Sequence, residues 1–143
     1  MNKDEMTGRI NECLESFPYI SGVNNHMGSK FTEDSSSMKI LLEILKQRKL
    51  FFLDSRTTPD TVAFSLAKEM GVKTAEKDLF LDNVKDVNAI KAKINELAEI
   101  SLANGLSVGI CHPHPATLKA LKDTIPRLEA QGIEIVSVSE LVE

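Results

Sequence analysis

Three histidines and a few neighbouring polar residues are the groups in this chain that are best suited to chemistry. His26 follows Asn24 and Asn25 in the polar sequence Asn-Asn-His-Met-Gly-Ser-Lys. His112 and His114 alternate with prolines in His-Pro-His-Pro. Imidazole binds metal ions and transfers protons near neutral pH. Both stretches therefore indicate acid–base or metal-assisted chemistry.

Two further polar groups directly follow apolar runs. Asp54 and Arg56 come after Leu-Phe-Phe-Leu, and Asp82 and Asn83 come after Leu-Phe-Leu. Each also has a local interpretation: Asp54 as a loop anchor, Arg56 as its ion-pair partner, and Asp82 with Asn83 as the start of the next helix. The choice between these interpretations depends on where the strands place the side chains.

Apolar runs alternate with amphipathic helical patterns along the whole chain. This alternation predicts βα units and a parallel sheet with right-handed crossovers. We expect helices between five strands, which we place near residues 19–23, 50–53, 73–81, 106–111 and 133–137. The fold class is therefore α/β.

The predicted strands place the polar candidates at one edge of the sheet. His26 follows the first strand, Asp54 and Arg56 the second, Asp82 the third and His112 the fourth. Functional residues of parallel α/β folds lie at the carboxyl ends of strands. We therefore expect these five side chains to converge, whereas the loops at the opposite edge contain only residues typical of helix ends.

The histidines also have interpretations without chemistry. On such an interpretation, His26 caps the next helix or forms a hydrogen bond with a backbone carbonyl. His112 is then a rigid-turn residue before Pro113, and His114 is exposed and inert. These alternatives are plausible one at a time, but less so for four residues at one sheet edge.

Composition excludes several classes of protein. The 143 residues predict one domain, and a net charge of −4 without a basic stripe argues against nucleic-acid binding. Cys13 and Cys111 are too few and too far apart for a disulfide framework or a zinc knuckle. No segment approaches the roughly 20 apolar residues of a membrane span, and the N-terminus does not resemble a signal peptide.

A metal site is suggested but looks incomplete. Imidazole and carboxylate suit zinc and similar ions, and a hydrolytic zinc usually has three protein ligands. The chain offers His26 and at most one neighbouring group, without a His-x-x-x-His or Cys-x-x-Cys pair.

Five blocks of the sequence, in order, resemble the divergent polysaccharide deacetylases, relatives of the NodB-type deacetylases. The blocks are residues 24–29, 31–34, 50–57, 78–83 and 109–115. The resemblance implies a distorted (β/α) barrel, present here as an incomplete barrel that lacks its N-terminal strands. Residues 1–18 would form a helix before the first retained strand, and residues 19–143 would form the C-terminal portion of the deacetylase-like domain.

The resemblance also implies an activity, namely metal-dependent hydrolysis of a carbon–nitrogen bond in an N-acetylated sugar, with zinc as the expected metal. On this basis His26 is a metal ligand, and His112 is the proton donor or its partner. Asp54 and Arg56 shape the site and orient the catalytic groups. The expected contacts to the carbohydrate substrate come from Asn24, Asn25, Asp82 and Asn83.

Two expected features of the family are missing from the sequence. A strand ending in paired aspartates, which supplies a metal ligand and the catalytic base, is absent, as is a further histidine block. We therefore expect the C-terminal portion of a longer protein, in the cell envelope or periplasm if that protein is exported. Alone, the chain should bind metal weakly, lack deacetylase activity, and associate with itself or with the missing portion. The alternative function is a non-catalytic carbohydrate-binding or interaction module.

Overall fold

The computed structural model describes residues 2–143, which form two compact units. The first unit extends to Glu76 and includes Val142–Glu143, and the second is Lys77–Leu141. In chain order the elements are α1 (Lys3–Glu15), β1 (Gly22–Asn24), α2 (Ser29–Glu33), α3 (Ser35–Gln47), β2 (Phe51–Asp54), α4 (Ala63–Met70), β3 (Thr74–Glu76), β4 (Leu79–Phe80), α5 (Val87–Asn104), β5 (Gly109–Ile110), α6 (Pro115–Ala130) and α7 (Val138–Leu141).

The first unit is built on a parallel sheet with the strand order β1-β2-β3. Val23 pairs with Phe52, so β1 and β2 end at the same edge of the sheet. A Cβ atom on Gly22 would lie 2.3 Å from Cδ2 of Phe51, and the close pairing of these strands therefore requires glycine at that position. This register places the loops that follow β1 and β2 side by side.

The core of the first unit lies between this sheet and its helices. The side chains of Met38, Leu42 and Leu45 on α3 are fully buried, as is Ala63 on α4. They pack with Phe52 of β2 in one cluster. Each buried leucine, methionine or phenylalanine side chain of this kind contributes roughly 1.5–3 kcal/mol relative to exposure. The sheet is therefore supported by a well-packed layer of apolar side chains. Helix α1 contributes to the same layer through Leu14.

The second unit pairs β4 with β5 in a parallel, two-stranded sheet. Leu79 lies opposite Gly109, and the carboxylate of Asp78 accepts a 2.7 Å hydrogen bond from the backbone N–H of Val108. Helices α5 and α6 pack on this sheet through buried residues that include Ile94 and Ala120. The short strands thus receive most of their support from the two long helices.

Two predicted strands differ from the structure. The strand expected at 73–81 is interrupted at Lys77–Asp78, and its halves, β3 and β4, belong to different sheets. Residues 133–137 are not a strand, because no described strand pairs with them. Instead, the Ile133 N–H bonds to the Leu128 carbonyl at the end of α6. The apolar residues of this segment line a cleft of about 640 Å³ within the second unit.

The α/β class and the parallel pairing of strands are confirmed. A barrel, which the resemblance implies in an incomplete form, is not shown, since neither sheet formed by residues 2–143 closes on itself. Within this part of the chain, no helix combines the length and apolar character needed to cross a bilayer.

Candidate functional site

The second unit brings a carboxylate and an imidazole together where its two strands end. Asp82 and His112 lie just beyond β4 and β5. Oδ1 of Asp82 is 3.0 Å from Nδ1 of His112. Oδ2 of Asp82 accepts hydrogen bonds from the backbone N–H of His112 at 2.6 Å and from the hydroxyl of Thr117 at 2.9 Å. Both carboxylate oxygens are therefore engaged. The Asp82 side chain is 0% exposed, whereas that of His112 is 41% exposed.

The electrostatics of the pair fix its protonation. Burial raises the pKa of Asp82, but hydrogen bonds from the His112 amide and ring and from the Thr117 hydroxyl outweigh it and hold the pKa below its ordinary value. Asp82 is thus ionised at neutral pH and can only accept hydrogen bonds. Nδ1 of His112 must therefore carry the proton that lies between them, and Nε2 is then the unprotonated nitrogen of the neutral ring.

The His-Pro-His-Pro sequence forms a stiff turn that places a second imidazole beside the first. The backbone N–H of His114 donates a 2.8 Å hydrogen bond to the carbonyl of His112, which closes a three-residue turn around Pro113. Helix α6 then begins at Pro115. The two rings stack with centroids 5.6 Å apart and planes inclined at 29°. Since proline restricts the backbone, the placement of both rings is largely set by the chain itself.

Asp82, His112 and His114 are also the group of described residues whose chemistry suits a metal. Their ligand atoms lie within 4.8 Å of one another, and nitrogen and carboxylate oxygen are typical zinc ligands. The neighbouring Cys111 thiol is not part of this group. Burial, with the charge of Asp82 in addition, raises the pKa of this thiol.

In the first unit, the two consecutive asparagines where β1 ends join neighbouring loops. Oδ1 of Asn25 accepts a 2.8 Å hydrogen bond from the backbone N–H of Ser55, and its Nδ2 donates to the Met27 carbonyl at 3.2 Å and to the Thr57 hydroxyl at 3.4 Å. Nδ2 of Asn24 donates to the Ser55 hydroxyl at 3.1 Å. We call this set of bonds the amide latch. The two amides predicted to bind substrate are therefore engaged in holding loops together.

The amide latch holds the loop that carries His26. The imidazole is exposed, just past the end of β1. The next two residues have positive φ angles, 59° at Met27 and 77° at Gly28. A left-handed conformation costs a residue such as Met27 about 1–2 kcal/mol, which the hydrogen bonds of the latch help to offset. The loop therefore keeps a tight shape before α2 begins at Ser29.

Asp54 anchors the loop after β2 from a buried position. Its Oδ1 accepts from the backbone N–H of Arg56 at 2.8 Å, and its Oδ2 accepts from the Thr61 hydroxyl at 2.9 Å. Arg56 has a φ of 45°, and its guanidinium pairs with Glu76 at 3.1 Å. The loop-anchor interpretation of Asp54 thus describes its contacts, and the partner of the Arg56 side chain is Glu76 rather than Asp54.

The predicted site residues follow strands as expected within each unit. His26, Asp54 and Arg56 lie at the ends of β1 and β2, and Asp82 and His112 at the ends of β4 and β5. That the side chains of the first unit and those of the second unit converge on one site stays a prediction. Asn83 is exposed beside Asp82.

Sequence reasoning missed three features of the second unit: the bond between Asp82 and His112, the support from Thr117, and the stacking of His114. The half-buried His114 had been interpreted as exposed and inert. Its spacing from His112 across one proline was the available signal. The role of Thr117 depends on the first turn of α6 facing β4, which no pattern in the sequence indicates.

Fold and site define a class: α/β proteins with parallel strands and a polar site, here an Asp–His pair, at the strand ends. A family model described as divergent polysaccharide deacetylase matches residues 1–142, and the chain belongs to this family. The uncharacterized protein YibQ of Escherichia coli K12 is 34% identical over 142 residues, which are 99% of this chain and 44% of that protein. An uncharacterized protein of Haemophilus influenzae is 31% identical over 141 residues, 99% of this chain and 50% of that protein.

A solved structure also supports the fold. The crystal structure of an uncharacterized protein from Agrobacterium tumefaciens C58 matches with a TM-score of 0.83 and 27% identity, over 85% of this chain and 50% of that one. The predicted family is confirmed. The chain spans about half the length of the curated relatives it matches.

Proposed function

We propose that this chain contributes the proton-donor side of a carbohydrate deacetylase-like hydrolase, which cleaves the carbon–nitrogen bond of an N-acetylated sugar. The observation that carries the proposal is the 3.0 Å contact between the buried Asp82 carboxylate and Nδ1 of the half-exposed His112. Family membership supports the carbohydrate as the substrate class.

The proposed role of His112 is that of a general acid. Water adds to the acetamide carbonyl and gives one proton to the base, which we place in the other half of such a protein. The carbon–nitrogen bond of the tetrahedral intermediate then breaks. Nε2 of the His112 imidazolium gives its proton to the departing nitrogen, so that a neutral amine is released with acetic acid, which ionises to acetate. Asp82 favours this step because it orients the ring and stabilises its charged form.

The family implies a metal, which when bound would activate the attacking water and polarise the carbonyl. We keep zinc as the proposed ion and His26 as one proposed ligand. One exposed imidazole does not make a hydrolytic zinc site, which usually needs three protein ligands. No step is therefore derived through the metal. Since the relatives are about twice as long as this chain, we propose that the remaining ligands and the base lie in the other half of such a protein.

The remaining predicted site residues, except Asn83, take positioning roles in this proposal. Asn24 and Asn25 hold the His26 loop through the amide latch, and Asp54 holds the loop of Arg56. Asp82 acts through His112 rather than on the sugar. Asn83, exposed next to Asp82, remains the proposed contact to substrate.

Acetate release from an N-acetylated oligosaccharide, with zinc added, tests the proposal. We would compare this chain alone with the chain joined to the proposed other half of such a protein. We expect turnover only from the joined protein, and a loss on the order of 10²–10⁴-fold in His112→Asn, the usual size of acid–base catalysis. The control is Lys122→Ala, an exposed position on α6, the helix that follows His112. Full turnover in His112→Asn would refute the role of His112.

A further inference from the structure

We propose that the Asp82–His112–His114 cluster is a second metal site, which binds a divalent transition-metal ion such as Zn²⁺ or Ni²⁺ and thereby removes His112 from proton transfer. The set does not include His26, the ligand proposed for the catalytic metal. The inhibitory consequence rests on the proposed role of His112 as a general acid, but metal binding by the cluster does not.

The geometry is close to that of a metal site. The ligand atoms of the three side chains lie within 4.8 Å of one another, and the imidazole rings already stack. Adjacent ligands of a tetrahedral zinc are about 3.3 Å apart, given metal–nitrogen distances of about 2.0–2.1 Å. The largest separation would therefore have to shrink by about 1–1.5 Å for the three side chains to bind one tetrahedral ion.

The backbone already holds these side chains in an arrangement suited to metal binding. The hydrogen bond from the His114 N–H to the His112 carbonyl and the two prolines hold the imidazoles on the same turn. The hydroxyl of Thr117 holds the Asp82 carboxylate in place. Because these groups are already ordered, little conformational entropy is lost when the ion binds.

Metal binding and proton donation exclude each other at His112. A metal needs the lone pair of a deprotonated ring nitrogen. An ion on Nε2 occupies the position from which the proton would leave, and an imidazolium that binds an ion there releases that proton to solvent. An ion between Nδ1 and Asp82 instead displaces the proton that fixes the ring. In both cases His112 no longer donates to a departing amine.

Calorimetric titration of the full chain with ZnCl₂ and NiCl₂ measures the site directly. We expect binding that His114→Ala weakens by on the order of 10–100-fold and that His26→Ala leaves in place. His114 makes no side-chain capping bond to α6, so its replacement should be tolerated, and His114→Gln provides a second variant of similar bulk. Binding that survives both His114 variants, or that disappears only in His26→Ala, would overturn the inference.

Ring-nitrogen NMR during the same titration separates this inference from the proposed function. We expect zinc to shift the signals of both His112 and His114. A wild-type chain with the Nδ1-protonated His112 but no shift of these signals on zinc addition would refute only the metal site. Zinc-dependent shifts at both rings, in a chain whose metal-free His112 lacks the Nδ1 proton, would support the metal site and refute the general-acid proposal.

Discussion

Asp54 in the first unit and Asp82 in the second unit occupy equivalent places at the ends of parallel strands, but their contacts differ. Both carboxylates are buried and accept hydrogen bonds on both oxygens. Asp54 bonds to the backbone and a hydroxyl of its own loop, whereas Asp82 also faces an imidazole that is half exposed. A buried carboxylate at a strand end is therefore not by itself a functional signal. What distinguishes Asp82 is the titratable, accessible partner it orients.

The largest expected effect comes from removing either carboxylate. Asp82→Ala and Asp54→Ala each leave buried donors without an acceptor, so we expect each to lower the free energy of unfolding by about 3 kcal/mol in urea denaturation. Asp82→Asn and Asp54→Asn sharpen the comparison, because asparagine keeps the shape of the aspartate side chain. Only Asp82→Asn should change the NMR signals of the His112 ring. Equal changes at His112 in both Asn variants would remove the distinction between the two units.

A smaller effect is expected at the amide latch. Asn25→Ala removes an acceptor for the Ser55 N–H and two donated bonds, and should lower the free energy of unfolding by about 1–2 kcal/mol. The exposed Asn83→Ala is the matched control and should change it by less than about 0.5 kcal/mol. If the two variants were equally stable, the structural role assigned to the latch would be wrong.

The dependence of stability on pH gives the smallest effect. The lowered pKa of Asp82 means that its contribution is fully present above the unfolded-state pKa of about 3.9 and is lost as pH falls through the lower folded-state value. The stability difference between wild type and Asp82→Asn should thus shrink in urea denaturation as the solution is acidified below about pH 4. A difference that grew on acidification would contradict the assigned ionisation.

Much of the fold could be predicted from the sequence because local sequence patterns determine it. The capping of α1 by Asn2, which accepts from the Glu5 N–H at 2.8 Å, and the parallel strands near 50–53 and 106–111 follow from residue type and periodicity. The strand predicted at 133–137 failed because an apolar run does not reveal whether a partner strand lies beside it. A run of that kind suits a cleft wall equally well.

The candidate site could be predicted only in part from the sequence, for a related reason. Sequence places Asp82 and His112 after strands, but the register between those strands decides whether the two meet. Leu79 pairs with Gly109 and Phe80 with Ile110, an offset that carries Asp82 to the level of His112. Had the strands paired one residue out of step, the carboxylate would have faced elsewhere. The mutual role of the pair therefore required the structure.

The central claim is that the buried Asp82 carboxylate fixes the proton of His112 on Nδ1. A long-range ¹H–¹⁵N correlation spectrum of the histidine rings, recorded above the ordinary imidazole pKa, measures this directly, with His112→Gln used to assign the signals. The account predicts a protonated Nδ1 and an unprotonated Nε2 for His112. A spectrum in which Nε2 carries the proton and Nδ1 does not would contradict it.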